Sequence, residues 1–240
     1  MFYKQKIGSA GISLVEISIV LTVIAILMGI VVGGISIKKA SEITSIISDV
    51  KSYQTAIENF SSEYKSLPGD MNSATSYWND TNNGNGNGLI ESPQNNRGDI
   101  ESFLAWQHLI KASLLKGSYT GNATNGSEAE IGVNVPSAKR SKIGYYLISG
   151  NLQGLGNRPE IRVGAFHVSS PNDYSALTPI EAKSLDDKID DGLPLSGKVF
   201  AANGNDIRAE SKLDCLEDNE NAYNLKNEQV SCIMAFSAKP

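Results

Sequence analysis

The chain has 240 residues, a formal net charge of −5 and 40% hydrophobic residues. That balance fits one membrane segment plus one globular domain, and an acidic chain offers no electrostatic argument for nucleic-acid binding. His108 and His167 are the only histidines and have no metal-ligand spacing partner; with no phosphate loop, zinc motif or nucleophile elbow, the sequence predicts no enzyme.

Residues 1–11 carry Lys4 and Lys6 as their only charged side chains. An apolar run over 12–37 follows, uncharged except for Glu16. As helix, at ~1.5 Å per residue, the run is ~39 Å long, enough to span hydrocarbon with some tilt. A carboxylate at membrane depth is costly, and sequences that keep one usually give it a partner. Lys38 and Lys39 follow the run, so the positive-inside rule is nearly balanced. Gly29 and Gly33 form a G-x-x-x-G, a spacing that lets helices approach closely.

The pattern Gly11-Ile12-Ser13-Leu14-Val15-Glu16, followed by ISIVLTVIAIL, resembles the N-terminus of type IV prepilins and of type II secretion pseudopilins. In that family a membrane peptidase cuts after the glycine and methylates the new N-terminus, and the glutamate serves subunit assembly. The resemblance implies cleavage between Gly11 and Ile12, N-methylation of Ile12, and pairing of Glu16 with the Ile12 amino group of a neighbouring subunit. Ile12 departs from the phenylalanine usual after the cut. The cut falls before the apolar run, unlike that of an ordinary secretory signal, so the membrane helix stays in a mature protein of 229 residues (240 minus 11). The resemblance also puts the N-terminus in the cytoplasm. The blander alternative is a generic membrane anchor with a stray acid.

Beyond the run, Ile43, Ile46, Val50, Tyr53, Ile57, Phe60 and Tyr64 are spaced three and four apart, an apolar seam on one helical face. One helix is predicted from about residue 12 to 64, ended by Pro68-Gly69. This layout resembles the pilin spine, whose second half packs on the globular head. A short coiled coil is the alternative.

Residues 67–88 read as loop. Within them, Asn83, Asn85 and Asn87 fall at positions 1, 3 and 5 of a calcium-type loop, with Gly88 at 6 and Ile90 at 8. The ligands are neutral and position 12 is Gln94. A second register starts at Asp80 and puts Glu91 twelfth, but loses the glycine at 6. Asn83, Asn85, Asn87 and Glu91 are thus a candidate low-affinity calcium set, and a plain Asn/Gly turn cluster is the preferred reading. No other cofactor is expected.

A second helix is expected over 99–116, with Ile100, Phe103, Leu104, Ile110 and Leu114 inward and Gly117 as its stop. His108 reads as a packing or surface residue on it. Strands are expected over 143–149, 160–168, 198–202 and 231–236. Residues 150–156 are Gly-rich but lack the lysine and context of a phosphate loop, so they read as a turn. Thr178-Pro179-Ile180-Glu181 has the capping-box form with proline at the first helical position, predicting a short helix to about residue 189.

The segments LPGDMNSATSYW, ESFLAWQHLIKASLLKGSYTG and LTPIEAKSLDDKIDDGLPLSGKV look like those of a larger prepilin-type group of Gram-negative bacteria. The expected fold is α+β and pilin-like: a leader over 1–11, a transmembrane or filament-core half-helix over 12–37, an amphipathic half over 38–66, and a head with an antiparallel sheet over 67–240. Cys215 and Cys232 are the only cysteines; an even pair in an exported domain favours a disulfide, with two buried thiols as the alternative. Such a bridge resembles the disulfide-bounded loop of pilins.

The expected function is a pilin or minor pilin of a type IV pilus, with a type II secretion pseudopilin as the alternative. A membrane-anchored periplasmic binding domain that never polymerises is the alternative of another class. The implied partners are other pilin subunits, the prepilin peptidase, the inner-membrane assembly machinery and, before assembly, the membrane itself. The implied location is the inner membrane, then the periplasm or cell surface.

Overall fold

The computed structural model describes residues 13–91, 101–123, 129–150, 152, 157–165, 174–205 and 214–238, without the side chains of 30–33 and 35. Gly11, Ile12 and His167 lie outside the described residues, as do most of 150–156. Helix α1 runs Leu14–Tyr64. The protein divides into two units, Met1–Glu42 and Ile43–Pro240.

In the first unit, the described large side chains of the apolar run are exposed, from Leu14 at 86% to Ile37 at 73%. Among the described residues, no helix is long and apolar enough to cross a membrane. The span expected over 12–37 includes Ile12 and the side chains 30–33 and 35, which are outside the description.

In the second unit the predicted seam is the packed face of the helix. Ile43, Ile46, Val50, Ile57 and Phe60 are each at most 3% exposed, and Tyr53 and Tyr64 pack at the margin of the same core. The seam therefore packs into the core of its own α+β unit rather than against a coiled-coil partner. The helix stops at Lys65, whose φ of 55° is left-handed while its N–H still reaches the Ser61 carbonyl at 3.1 Å. Pro68 and Gly69 follow the break rather than cause it.

Four strands form one antiparallel sheet: β1 (Ile143–Gly150), β2 (Arg158–Ala165), β3 (Val199–Asn203) and β4 (Cys232–Ser237), in the order β1-β2-β4-β3. The pairing Tyr145↔Val163↔Met234↔Ala201 puts these four side chains in one row across the sheet. That row faces the second-unit part of α1: the Tyr145 hydroxyl donates to Asp49 at 2.6 Å and its ring lies edge-on to Tyr53 at 5.0 Å. Tyr146, on the opposite face, meets Phe103 edge-on at 5.9 Å.

Helix α2 is Glu101–Lys111, ending five residues before the expected Lys116. The Leu114 N–H bonds the Leu109 carbonyl at 3.0 Å and the Ser113 N–H bonds Ile110 at 2.8 Å, with Ser113 at φ 60°. That is a Schellman stop with serine in the left-handed position usually held by glycine. Gly117 lies beyond the stop and plays no part in it. Residues 99 and 100 lie outside the description. Helix α3 is Pro179–Ile189, with both halves of the Thr178/Glu181 capping box formed. The Glu181 carboxylate also takes a two-pronged ion pair from Arg140, both contacts at 2.8 Å.

Candidate functional site

At the start of α1, the Ser13 N–H donates to Glu16 Oε2 at 2.8 Å, and the Val15 N–H donates to Ser13 Oγ at 3.3 Å. Glu16 thus stands at the third helical position and makes the carboxylate half of a capping box, while Ser13 Oγ caps the second position instead; Ser13-x-x-Glu16 was a readable signal for this helix start. The carboxylate has a local acceptor role, at the positive end of the helix dipole. Two polar side chains of the first turns point back onto the helix itself. Ser18 donates to the Val15 carbonyl and Thr22 to the Ser18 carbonyl, both at 2.8 Å. Hydroxyls satisfied in this way leave the apolar surface of Leu14 to Met28 with little that needs water.

In the second unit, the segment after α1 folds back over α2. Gly69 sits where a Cβ would meet the Glu101 carbonyl oxygen at 2.2 Å, so only glycine allows that approach. His108 fastens the same crossing. Its Nδ1 accepts from the Gly69 N–H at 3.0 Å, which leaves the proton on Nε2, 3.1 Å from the Asn82 carbonyl. The ring is fully buried, and that burial pushes its pKa down to about 4.

Two buried carboxylates organise the Asn/Gly run. Asp70 Oδ1 accepts from the Asn87 N–H and Oδ2 from the Gly88 N–H, both at 2.9 Å. Glu101 takes the Asn85 N–H at 2.8 Å and the Glu91 N–H at 3.1 Å. Burial raises both pKa values, that of Glu101 to about 7. Neither acid was singled out from sequence. Their partners are loop N–H groups 10 to 18 residues away, which no local pattern announces.

The calcium candidates fall in this loop, with their oxygens already accepting. Asn83 Oδ1 takes the Thr75 N–H, Asn85 Oδ1 the Asn87 N–H, and Asn87 Oδ1 the Leu89 N–H, at 2.8 to 2.9 Å. Glu91 accepts from the Asn85 side-chain amide. The Asn85 and Asn87 bonds, each two residues long, are local Asx turns, whereas the Asn83 bond crosses to Thr75 eight residues away. Among the described residues, Asp186, Asp190 and Asp191 are the acids close enough together to share an ion. Their oxygens also receive donors: Tyr223 and Gly192 on Asp186, Val199 on Asp190, Leu193 and Ser196 on Asp191.

Cys215 and Cys232 are joined in a disulfide. Side chains also dock the loop they close. Asn203 Oδ1 accepts the Cys215 and Leu216 N–H groups at 2.8 and 2.9 Å, and the Tyr223 hydroxyl donates to buried Asp186 at 2.7 Å. Leu225 and Val230 are exposed on it. Beside the α1 end, Ile57, Leu67, Pro159 and Ala238 line a groove of about 530 Å³ together with Glu58, Ser61, Ser62 and Lys65.

Comparison with protein-family models, with curated proteins and with solved structures gave no match to this protein.

Proposed function

We propose that the protein is a structural subunit, a pilin or minor pilin, of a type IV pilus, assembled through its N-terminal helix after removal of residues 1–11. The observation that carries this reading is the apolar surface of α1 from Leu14 to Met28, exposed in the single subunit and headed by Glu16. Burying one such Leu, Ile or Val side chain is worth about 1.5–3 kcal/mol, so a rod of them favours lipid or its own kind over water. Contacts between copies would be head-to-tail, giving an open helical assembly. The globular unit, with its own core, would form the outer surface. The disulfide-closed loop favours a pilus over a type II secretion pseudopilus, by its likeness to the bounded loop of pilins.

Calcium is secondary to this reading. An ion at Asn83, Asn85, Asn87 and Glu91 would compete with the donors those side chains already hold.

Intact mass of the protein from its native host tests the processing step. The expected result is a polypeptide beginning at Ile12, lighter by residues 1–11 and carrying a methyl group. Recovery of a form that retains Met1 to Gly11 in surface fractions would overturn the reading.

A further inference from the structure

Asn83-Gly84, Asn85-Gly86 and Asn87-Gly88 are three consecutive Asn-Gly pairs in one loop. Asn-Gly is the dipeptide most prone to deamidation, because glycine leaves the following backbone nitrogen unhindered. In that reaction the glycine N–H loses its proton and its nitrogen attacks the asparagine Cγ. A new bond joins that nitrogen to Cγ, the bond from Cγ to the amide Nδ2 breaks, and ammonia leaves a five-membered succinimide. Water then opens the ring at either carbonyl to give aspartate or isoaspartate.

Each attacking nitrogen is already committed here. The Gly84 N–H bonds the Met71 carbonyl at 2.8 Å and the Gly86 N–H bonds the Asp70 carbonyl at 2.9 Å. The Gly88 N–H bonds the Asp70 carboxylate at 2.9 Å. The asparagine side chains are held too, through the three N–H groups accepted by their Oδ1 atoms. Both reacting partners are thus bonded away from each other at every pair, and reaction requires local opening.

The three locks are unequal. At Gly84 a Cβ would meet the Gly69 carbonyl oxygen at 2.2 Å, so that nitrogen lies in close backbone packing. Around Gly88 the equivalent position is open, nothing lying within 4 Å, and its lock is one side chain. We propose that this loop is a guarded deamidation site. Asp70 is the guard, and Asn87 is the residue that converts first when the guard opens. Conversion places a new carboxyl group on the residue whose N–H Asp70 accepts.

The test uses the full-length protein in detergent, held at mildly alkaline pH, folded or unfolded in denaturant with its disulfide reduced. Peptide mass mapping follows the amide-to-acid change at each asparagine. In the folded protein all three amides are expected to outlast those of the unfolded protein by about tenfold or more, with Asn87 converting first. Asp70→Ala is expected to bring Asn87, but not Asn83, towards the unfolded rate. Equal rates in folded and unfolded wild type, or conversion beginning at Asn83 or Asn85, overturn the proposal, even where Asp70→Ala fails to fold.

Discussion

His108 is a buried histidine bonded at both ring nitrogens, and its neutral form is the one the fold requires. Its pKa is lowered from 6.5 to about 4 in the folded protein. The stability it contributes is therefore complete above about pH 6.5 and is lost as pH falls from there towards 4. Over that window the loss is about 3 kcal/mol. His108→Gln is expected to be less stable than wild type at pH 7, by about 1–3 kcal/mol, because one loop group loses its partner. It should also show a flatter acid limb between pH 6.5 and 4, which denaturant titrations at several pH values will measure. A parallel acid limb in the variant would show that His108 is not the titrating group. Arg140 is the second residue of this kind. Arg140→Lys keeps the charge but cannot serve both Glu181 oxygens and the Ala176 carbonyl. A loss of about 1–2 kcal/mol in urea unfolding is expected, and more for Arg140→Ala, which takes the only cation bonded to Glu181 among the described residues away from a buried carboxylate.

Among the elements, the disulfide loop has side-chain fastenings besides its covalent bond, at Asn203 and at Tyr223. Loss of the Cys215–Cys232 bridge should cost about 3 kcal/mol on conformational-entropy grounds. With either Cys replaced by Ser, the thermal midpoint should fall while the loop stays docked. Tyr223→Phe in the bridged protein should cost about 1–2 kcal/mol by removing the shorter of the two hydrogen bonds that Asp186 accepts. If the reduced and oxidised forms melt together, the bridge is not the constraint taken here. These elements also show what could be read from sequence. The α3 capping box was legible because its partners are three residues apart. The strands were legible to within two residues at their starts, because their apolar and aromatic runs are local. The end of α2 was not, because Ser113 adopts a backbone conformation that composition assigns to glycine. His108 and Asp70 were illegible for another reason: their roles depend on a loop crossing that arises only on folding. At Glu16 the cleavage resemblance hid a helix-start contact to the Ser13 N–H that the Ser-x-x-Glu spacing alone would have given.

Taken whole, the protein pairs a self-sufficient α+β unit with an apolar half-helix whose described large side chains find no core. The proposed filament role turns on that half-helix and on the one charge it carries. In a single subunit Glu16 is satisfied by the Ser13 N–H. In an assembly the Ile12 amino group of the next copy would offer a stronger, charged donor at the same level. Glu16→Ala removes that contact while leaving the apolar surface and the Gly11–Ile12 junction untouched. The decisive measurement is its abundance in sheared surface fractions beside wild type, with cleavage checked by intact mass. The account predicts normal processing and a large loss from the filament fraction. A cleaved Glu16→Ala variant incorporated at the wild-type level would contradict it.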